Sequence, residues 1–326
     1  MLPPDRAPGV RNPSLMETKH LRTLVAIVEL SSFTRAGVKL GLSQSAISQQ
    51  IGALERQLGV RLLRRTGTGA RPTPAGELLV NHARQILARV DAAKRLVSDF
   101  DASSSGILRI GAGGAVCHHV LPDVLRELRE AFPRLELHVR SGHTDLTVER
   151  LLGGEIDVGI LTLPVSQPKL RLVEVGDDEL VLIVARDHPL ADRGRVDPVD
   201  LAEETFLICE RRSRTYQLVE RVLLEAGVFP RVAMEIDHQE AVTAMVARGL
   251  GVAAVPRWAI AAEIASGDVV PLQLGASGLG RSWALGFLEE SQPRQALRAF
   301  VRLCGERIPT VLATAATTPP VRADAS

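Results

Sequence analysis

The residues best suited to recognition chemistry lie in residues 41–59, GLSQSAISQQIGALERQLG, whose first fourteen residues carry no charge. Helical spacing gives this stretch an apolar face and an opposite polar face. The apolar face contains Ile47, Ile51, Leu54 and Leu58, and the polar face contains Ser45, Ser48, Gln49 and Gly52. Short hydroxyl and amide side chains can exchange hydrogen bonds with base edges in the DNA major groove, and glutamine suits a bidentate contact with adenine. The other interpretation is an ordinary amphipathic helix with a polar outer face.

The residues before this helix predict the elements that would position it. Apolar residues between 21 and 28 follow helical spacing and indicate a first helix. A short second helix is expected at residues 34–40, ended by Gly41, and Ser43 is placed to cap the third helix. This order is typical of a helix-turn-helix motif, in which the second helix enters the DNA major groove.

Positive charge flanks the candidate recognition helix. Four arginines surround a turn at residues 67–69, as in a wing between two strands: Arg61, Arg64, Arg65 and Arg71. Residues 16–75 hold nine Lys and Arg against three acids, a net charge of +6; because the whole chain carries +1, the remainder carries −5. A basic module on an acidic body is expected where one end of a protein meets a polyanion. The alternative is a solvated basic face without a partner.

A long helix is predicted at residues 74–102. Thr73 is placed to cap it and Pro74 suits its first position. Its apolar residues alternate at spacings of four and three over three heptads: Leu79, Ala83, Ile86, Val90, Ala93, Val97 and Phe100. This seam favours a coiled-coil-like dimerisation helix, with a helix packed on its own domain as the alternative. A dimer would place two recognition helices on half-sites about 34 Å apart.

The remainder of the chain predicts an α/β fold. After the linker DASSSG, short β-rich runs alternate with helices, which indicates a parallel sheet covered by helices. The pattern pauses near Gly176 and resumes, enough for two similar lobes, with residues 283–308 returning to the first.

Several classes of protein are not indicated. The three cysteines, Cys117, Cys209 and Cys304, are far apart and show neither a disulfide framework nor the spacing of a metal site. No apolar run approaches a membrane span, and the N-terminus lacks the apolar core of a secretory signal, so the protein is expected in the cytoplasm. The first fifteen residues hold four prolines, and Met16 is a candidate for the true start.

The chain resembles LysR-type transcriptional regulators from residue 16 to about 308. The segments that carry the resemblance are METKHLRTLVAIVELSSFTRAG, LSQSAISQQIGALERQLGVRLLRR, RPTPAGELL, GGEIDVGIL, LVLIVARDHPLA and GLGVAAVPR. The resemblance implies a winged helix-turn-helix, a dimerising linker helix and a two-lobed effector module like periplasmic binding proteins. It also implies tetramers that bend promoter DNA, a small-molecule effector in the cleft between the lobes, and contact with RNA polymerase. No cofactor, metal or enzymatic activity is expected.

The resemblance also implies site residues, position by position. The base-facing residues would be Gln44, Ser45, Ser48 and Gln49, with Arg64 or Arg65 near phosphate or the minor groove. The effector cleft would be lined by Gly113, Gly114, Thr162, Cys209, Arg214 and His238. Arg214 is the best candidate for gripping a carboxylate or other anion, and His238 is equally suited to capping a helix.

The chain departs from the family in two places. Gly37 stands where the family usually has alanine, which should cost its short helix about 1 kcal/mol. Gly113 and Gly114 stand where the family often has Ser or Thr, so this chain lacks the side-chain hydroxyls that would contact an effector there. Backbone N–H groups can still receive an anion, and a more open pocket is equally compatible.

Single features of the sequence are also compatible with other functions. Gly111, Gly113 and Gly114, with Glu136 about twenty residues on, suggest dinucleotide binding, but Val116 occupies the place of the third glycine. Cys209 is either a redox-sensing thiol activated by nearby arginines or a half-buried side chain lining the pocket. A binder of DNA without sequence preference and a regulator with a vestigial cleft are further alternatives.

The sequence thus predicts the following organisation. A disordered extension covers 1–15, the DNA-binding domain 16–73, the dimerisation helix 74–102, lobe I 107–178 and 283–308, lobe II 179–282, and a disordered tail 309–326.

Overall fold

The structure is a computed structural model that describes residues 16–66, 69–98, 106–289 and 295–314. The chain forms two compact units, one ending at Val97 and the other beginning at Ser98. The expectations for residues 1–15, for Phe100 and for the tail beyond Thr314 lie outside the described residues.

The first unit contains four helices and one hairpin among its described residues. They are α1 (Thr18–Leu30), α2 (Phe33–Leu40), α3 (Gln44–Leu58), β1 (Leu63–Thr66), β2 (Gly69–Pro72) and α4 (Pro74–Ser98). Ser32 caps α2 and Ser43 caps α3, each hydroxyl accepting a backbone N–H. Gly41 and Gly59 end α2 and α3 in the left-handed conformation that glycine adopts without strain. The predicted helix-turn-helix with a wing is confirmed.

The helices of the first unit pack around the apolar face of α3. Ile47 and Leu54 are fully buried against α1 residues such as Leu24 and Ile27. The prediction that Leu58 continues this face is wrong, because Leu58 is the last residue of α3 and is 42% exposed.

The turn between α2 and α3 changes the interpretation of Gly37. The Leu42 N–H donates to the Gly37 carbonyl at 2.9 Å. A Cβ at residue 37 would lie 2.7 Å from the Leu42 carbonyl oxygen, closer than ordinary contact. Glycine therefore lowers the helix propensity of α2 but permits this close turn.

α4 packs on α1 through part of the predicted seam. Leu79 and Ala83 contact Leu21, and Arg22 of α1 binds Asp91 of α4 at 2.6 Å. The next seam residue, Ile86, is 38% exposed and remains available to a partner. Within α4, the side chains of residues 92–98 lie outside the described ones.

The second unit alternates strands and helices. Its elements are β3 (Gly106–Ala112), α5 (Gly114–His119), α6 (Leu121–Ala131), β4 (Leu135–Ser141), α7 (Thr144–Gly153), β5 (Val158–Thr162), β6 (Leu170–Ala185), β7 (Arg195–Val196), β8 (Thr205–Ile208), α8 (Arg214–Glu225), β9 (Arg231–Glu235), α9 (Gln239–Val246), β10 (Ala253–Pro256), α10 (Ala261–Ser266), β11 (Val269–Leu274), β12 (Leu279–Leu288) and α11 (Gln295–Thr314). Short 3-10 turns lie at Ala191–Arg193, Pro198–Leu201 and Arg257–Ile260.

Two long antiparallel strands, β6 and β12, join two lobes. The sheet order is β4-β3-β5-β12-β6-β11-β7, with β10 also on β6 and a separate parallel pair β8-β9. The β12–β6 register shifts between Trp283 and Ala284. The predicted lobe boundaries, 178/179 and 282/283, fall inside these strands, so continuous strands connect the lobes.

The expectation of a parallel sheet holds for β3, β4 and β5, for the separate pair β8-β9 and for the short pairing of β7 with β11. β3, β4 and β5 pair in parallel because helices α5, α6 and α7 connect them. β6 instead pairs antiparallel with β10, β11 and β12, which makes the sheet mixed. The two-lobed α/β architecture is confirmed, with a core on each side of the joining strands.

The predicted start of the C-terminal tail at residue 309 is wrong. α11 continues through Pro309 to Thr314. Ile308 is buried in the lobe I core, and Val311 and Leu312 pack against it, so tertiary packing outweighs the hydrogen bond that proline removes. Among the described residues, no helix has both the length and the apolar character needed to cross a bilayer.

Candidate DNA-binding face and ligand cleft

The outer face of α3 is polar, uncharged and accessible over its first two turns, and Arg56 follows in the last turn. Gln44, Ser45 and Gln49 are exposed and Ser48 is half-buried. The Ser43 hydroxyl accepts the Ala46 N–H at 3.2 Å and lies 2.9 Å from the Ser45 hydroxyl. The structure thus brings the four residues predicted to face the bases onto one accessible helix face.

The wing places two arginines opposite each other. Arg64 of β1 pairs with Arg71 of β2, and both side chains are exposed. Like charges directly opposite each other weaken a hairpin unless an anion lies between or beside them. Arg65 pairs with Ala70 in the same ladder, and its side chain is not among those described.

Glu55 links α3 to the wing, a role that the sequence analysis missed. Its Oε1 accepts the N–H groups of Leu62 and Leu63 at 2.8 and 3.2 Å. Its Oε2 accepts from Arg61 at 3.0 Å. An acid four residues after Ile51, on the apolar face of the predicted helix, was the available signal.

A cleft of about 530 Å³ lies between the two lobes. It is formed where strands β3, β4 and β5 of one lobe, and β8 and β9 of the other, reach their C-terminal ends and helices begin. This is where open α/β sheets commonly bind ligands. All six residues predicted for the effector line this cleft: Gly113, Gly114, Thr162, Cys209, Arg214 and His238.

The lobe I wall is held by the start of α7. The Thr144 hydroxyl accepts the Thr162 N–H at 3.0 Å, which fixes the end of β5 against α7. A Cβ added at Gly113 or Gly114 would meet no heavy atom within 4 Å, so the two glycines leave this wall open.

His143 was not anticipated from the sequence. It caps α7, its Nδ1 accepting the Leu146 N–H at 3.3 Å, and its Nε2 lies 3.2 Å from Glu210 of lobe II. An Nδ1 that accepts carries no proton, which assigns the neutral Nε2–H tautomer donating to Glu210. A histidine directly before a predicted helix was the only sequence signal.

The lobe II wall presents Arg214 and His238. Arg214 is the first residue of α8, and its NH2 binds Asp145 of α7 across the cleft at 2.7 Å. His238 occupies the N-cap position of α9, but its side chain makes no capping hydrogen bond. Of the two roles considered for His238, side-chain capping is absent from the structure.

The environment of Cys209 opposes thiolate formation. Burial raises the pKa of this thiol to about 11, with further contributions from the carboxylates of Glu240, Glu210 and Asp237. Redox-active thiols are found instead where positive charge lowers the pKa.

The cleft floor carries a buried ionic network that the sequence analysis also missed. Arg281 of β12 donates from Nε and NH2 to both oxygens of Asp178 on β6, at 2.9 and 2.5 Å. Its NH1 donates to Thr215, and Trp258 donates to Asp178 at 2.7 Å. The available signal was a charged residue directly before an apolar run, Asp178 before ELVLIVAR and Arg281 before SWALGFL. The network ties α8 to the strands that join the lobes.

The geometry does not support dinucleotide binding. Glu136 pairs with Ile107 in the β3–β4 ladder, whereas Gly111 pairs with Arg140. Four residues of strand, about 13 Å, therefore separate the acid from the glycine turn. Among the described residues, no group of three or more His, Cys, Asp or Glu is placed to hold a metal ion.

Two family descriptions match most of the chain. "Bacterial regulatory helix-turn-helix protein, lysR family" matches residues 18–77, and "LysR substrate binding domain" matches residues 101–309. The chain is a LysR-type transcriptional regulator. The resemblance seen in the sequence is confirmed, and the family consists of transcriptional regulators and not enzymes.

Relatives and solved structures agree with this assignment. The regulator MetR of Escherichia coli is 32% identical over 289 residues, 88% of this chain and 89% of MetR. AlsR of Bacillus subtilis is 28% identical over 278 residues, 85% of this chain and 91% of AlsR.

Among solved structures, full-length CbnR in complex with its target DNA has a TM-score of 0.62 and 25% identity, covering 90% of this chain and all of CbnR. The MetR regulatory domain of Neisseria meningitidis has a TM-score of 0.56 and 26% identity, covering 64% of this chain and 95% of that domain. Like its family, the chain is a DNA-binding regulator with an effector-binding domain.

Proposed function

We propose that this LysR-type regulator reads its operator with the outer face of α3 and senses a small-molecule effector in the cleft between its lobes. The observation that carries the first part is the accessible, uncharged row of Gln44, Ser45, Ser48 and Gln49. Side chains of this kind discriminate between bases, whereas lysine and arginine at these positions would chiefly contact phosphate.

The wing supplies affinity rather than specificity in this proposal. Arg64 and Arg71 face each other across the hairpin, and a DNA phosphate beside them relieves their repulsion. Arg65 is the second wing residue proposed for phosphate or the minor groove.

The effector contacts proposed for the cleft come from both lobes. Gly113, Gly114 and Thr162 belong to lobe I, and Cys209, Arg214 and His238 belong to lobe II. The guanidinium of Arg214 favours an effector with a carboxylate or other anionic group. Because the pKa of Cys209 is raised, we propose that this residue contacts the effector without redox chemistry.

Self-association completes the proposed function. We propose dimerisation along α4, where Ile86 and Leu78 expose apolar surface and Val90 is half-buried. We also propose that the dimers assemble to a tetramer and that the regulatory output is contact with RNA polymerase. The proposed location is the cytoplasm.

Footprinting on the duplex upstream of the protein's own gene tests the proposal. We expect two protected half-sites about one helical turn, or a multiple of it, apart, as a dimer with two recognition helices requires. A scrambled duplex of equal length is the control. Uniform protection of both duplexes would identify a binder without sequence preference and overturn the proposal.

A further inference from the structure

Two polar contacts cross the cleft at the start of two helices. Arg214 binds Asp145 at 2.7 Å, and Glu210 lies 3.2 Å from His143. The lobe I partners are the cap and first turn of α7, and the lobe II partners lie in the loop before α8 and at its first residue. His118 of α5 also approaches Glu240 of α9, at the longer distance of 3.8 Å, so the closer contacts across the cleft are those between α7 and the start of α8.

The contact between Arg214 and Asp145 leaves part of the guanidinium unsatisfied. Asp145 accepts through a single oxygen, Oδ1, from NH2, while NH1 lies 3.4 Å from Gln217. The Nε atom of Arg214 is buried and has no hydrogen-bond partner in the described part of the chain. A buried donor without a partner is costly, so this edge of the arginine favours a second acceptor oxygen.

A ligand carboxylate can satisfy Arg214 better than Asp145 does. Two carboxylate oxygens match the parallel N–H groups of Nε and NH2, and such bidentate pairs are stronger and better oriented than a single bond. Arg214 is also the first residue of α8, where the helix dipole disfavours a cation that has no anion beside it. Either Asp145 or a bound anion meets that requirement.

Asp145 can release Arg214 without being left in an unfavourable place. It lies in the first turn of α7, where the helix dipole stabilises a carboxylate, and its side chain is 35% exposed. Water and the helix N-terminus can therefore take over part of the stabilisation that Arg214 provides.

We propose that Asp145 is an internal competitor for an anionic ligand. In the absence of ligand its carboxylate holds Arg214 and ties lobe I to lobe II; a ligand carboxylate or similar small oxyanion binds by replacing it. The exchange breaks a contact between the lobes at the moment that the ligand binds, which couples occupancy of the cleft to the arrangement of the lobes. This inference rests on the proposed function in taking the cleft as the effector site.

Acetate is the probe for this exchange, since it carries a carboxylate and little else. The full chain is titrated with acetate against sodium chloride at equal ionic strength, following the fluorescence of Trp258 and Trp283, the only tryptophans in the sequence. Trp283 lines the cleft and Trp258 packs edge-on against it.

Asp145→Asn is expected to bind acetate about tenfold more tightly than the wild type, because the competing charge is gone. Glu149→Gln is the matched control on the same helix: Glu149 lies 3.9 Å from Arg212 and both side chains are largely exposed, so acetate affinity should equal that of the wild type. Arg214→Gln should lose acetate binding. Asp145→Ser also lacks the charge. Its acetate affinity provides a second measurement if Asp145→Asn has a lowered midpoint of thermal unfolding.

An acetate affinity in Asp145→Asn and Asp145→Ser that is undetectable or no higher than that of the wild type would overturn the proposal. Equal tightening in Glu149→Gln would also overturn it, since the effect would then be general electrostatics. Operator binding by the same proteins without acetate tests the proposed function separately, so either claim can fail while the other holds.

Discussion

Replacing Glu55 with alanine is expected to detach the wing from the recognition helix. The substitution removes a charged acceptor from the N–H groups of Leu62 and Leu63, two residues that are buried. Hydrogen bonds to a charged group contribute about 1.5–3 kcal/mol each, so the loss of two such bonds should lower the free energy of unfolding of the DNA-binding unit by about 3–6 kcal/mol. The bond to Arg61 adds little, because that side chain is 85% exposed.

Hydrogen exchange in the full chain measures this effect where it arises. The Leu62 and Leu63 amides should exchange markedly faster in Glu55→Ala. Glu55→Gln keeps an accepting oxygen but loses the charge, so its destabilisation should be smaller, about 1–2 kcal/mol. The role of Glu55 in linking α3 to the wing would be refuted if the exchange rates in Glu55→Ala were unchanged. It would also be refuted if the free energy of unfolding fell by less than about 0.5 kcal/mol.

Three further predictions follow from single contacts. Because burial and carboxylates raise the pKa of Cys209 to about 11, iodoacetamide should label this thiol more slowly than a model thiol at neutral pH, and labelling as fast as the model thiol would contradict this environment. Gly76→Ala should lower the midpoint of thermal unfolding, since its Cβ would lie 2.0 Å from the Leu62 carbonyl oxygen; an unchanged midpoint would show that the helix can shift freely. Arg64→Ala and Arg71→Ala should each weaken binding to operator and scrambled duplex alike and reduce the salt slope by about 1, whereas a loss confined to the operator would indicate base contact.

The sequence predicted local features well because they depend on neighbours in the chain. Apolar spacing and capping residues were enough to place α3. The arginines around a glycine-containing turn were enough to place the wing. The residues that line the cleft were predicted from the resemblance to the family, because the shared fold determines which loops meet at the ends of the strands.

Contacts between distant residues could not be read from periodicity. Arg214 and Asp145 are 69 residues apart and Arg281 and Asp178 are 103 apart, so no local pattern links either pair. The helix through Pro309 was missed for a related reason: proline ends helices by local preference, and packing on lobe I overrides it. Antiparallel pairing along β6 likewise depends on which distant strands meet.

Above all, we propose that the uncharged face of α3 reads base sequence. The most direct test is fluorescence anisotropy with the operator duplex and a scrambled duplex, for wild type, Gln44→Ala and the matched control Gln57→Ala, at two salt concentrations. Gln57 is an exposed glutamine in the last turn of the same helix.

The wild type is expected to prefer the operator by about 10³-fold or more, and Gln44→Ala should lose about 1–3 kcal/mol of that preference while Gln57→Ala keeps it. If all three proteins bind both duplexes alike and salt alone sets the affinity, contact is to phosphate only and the claim is contradicted.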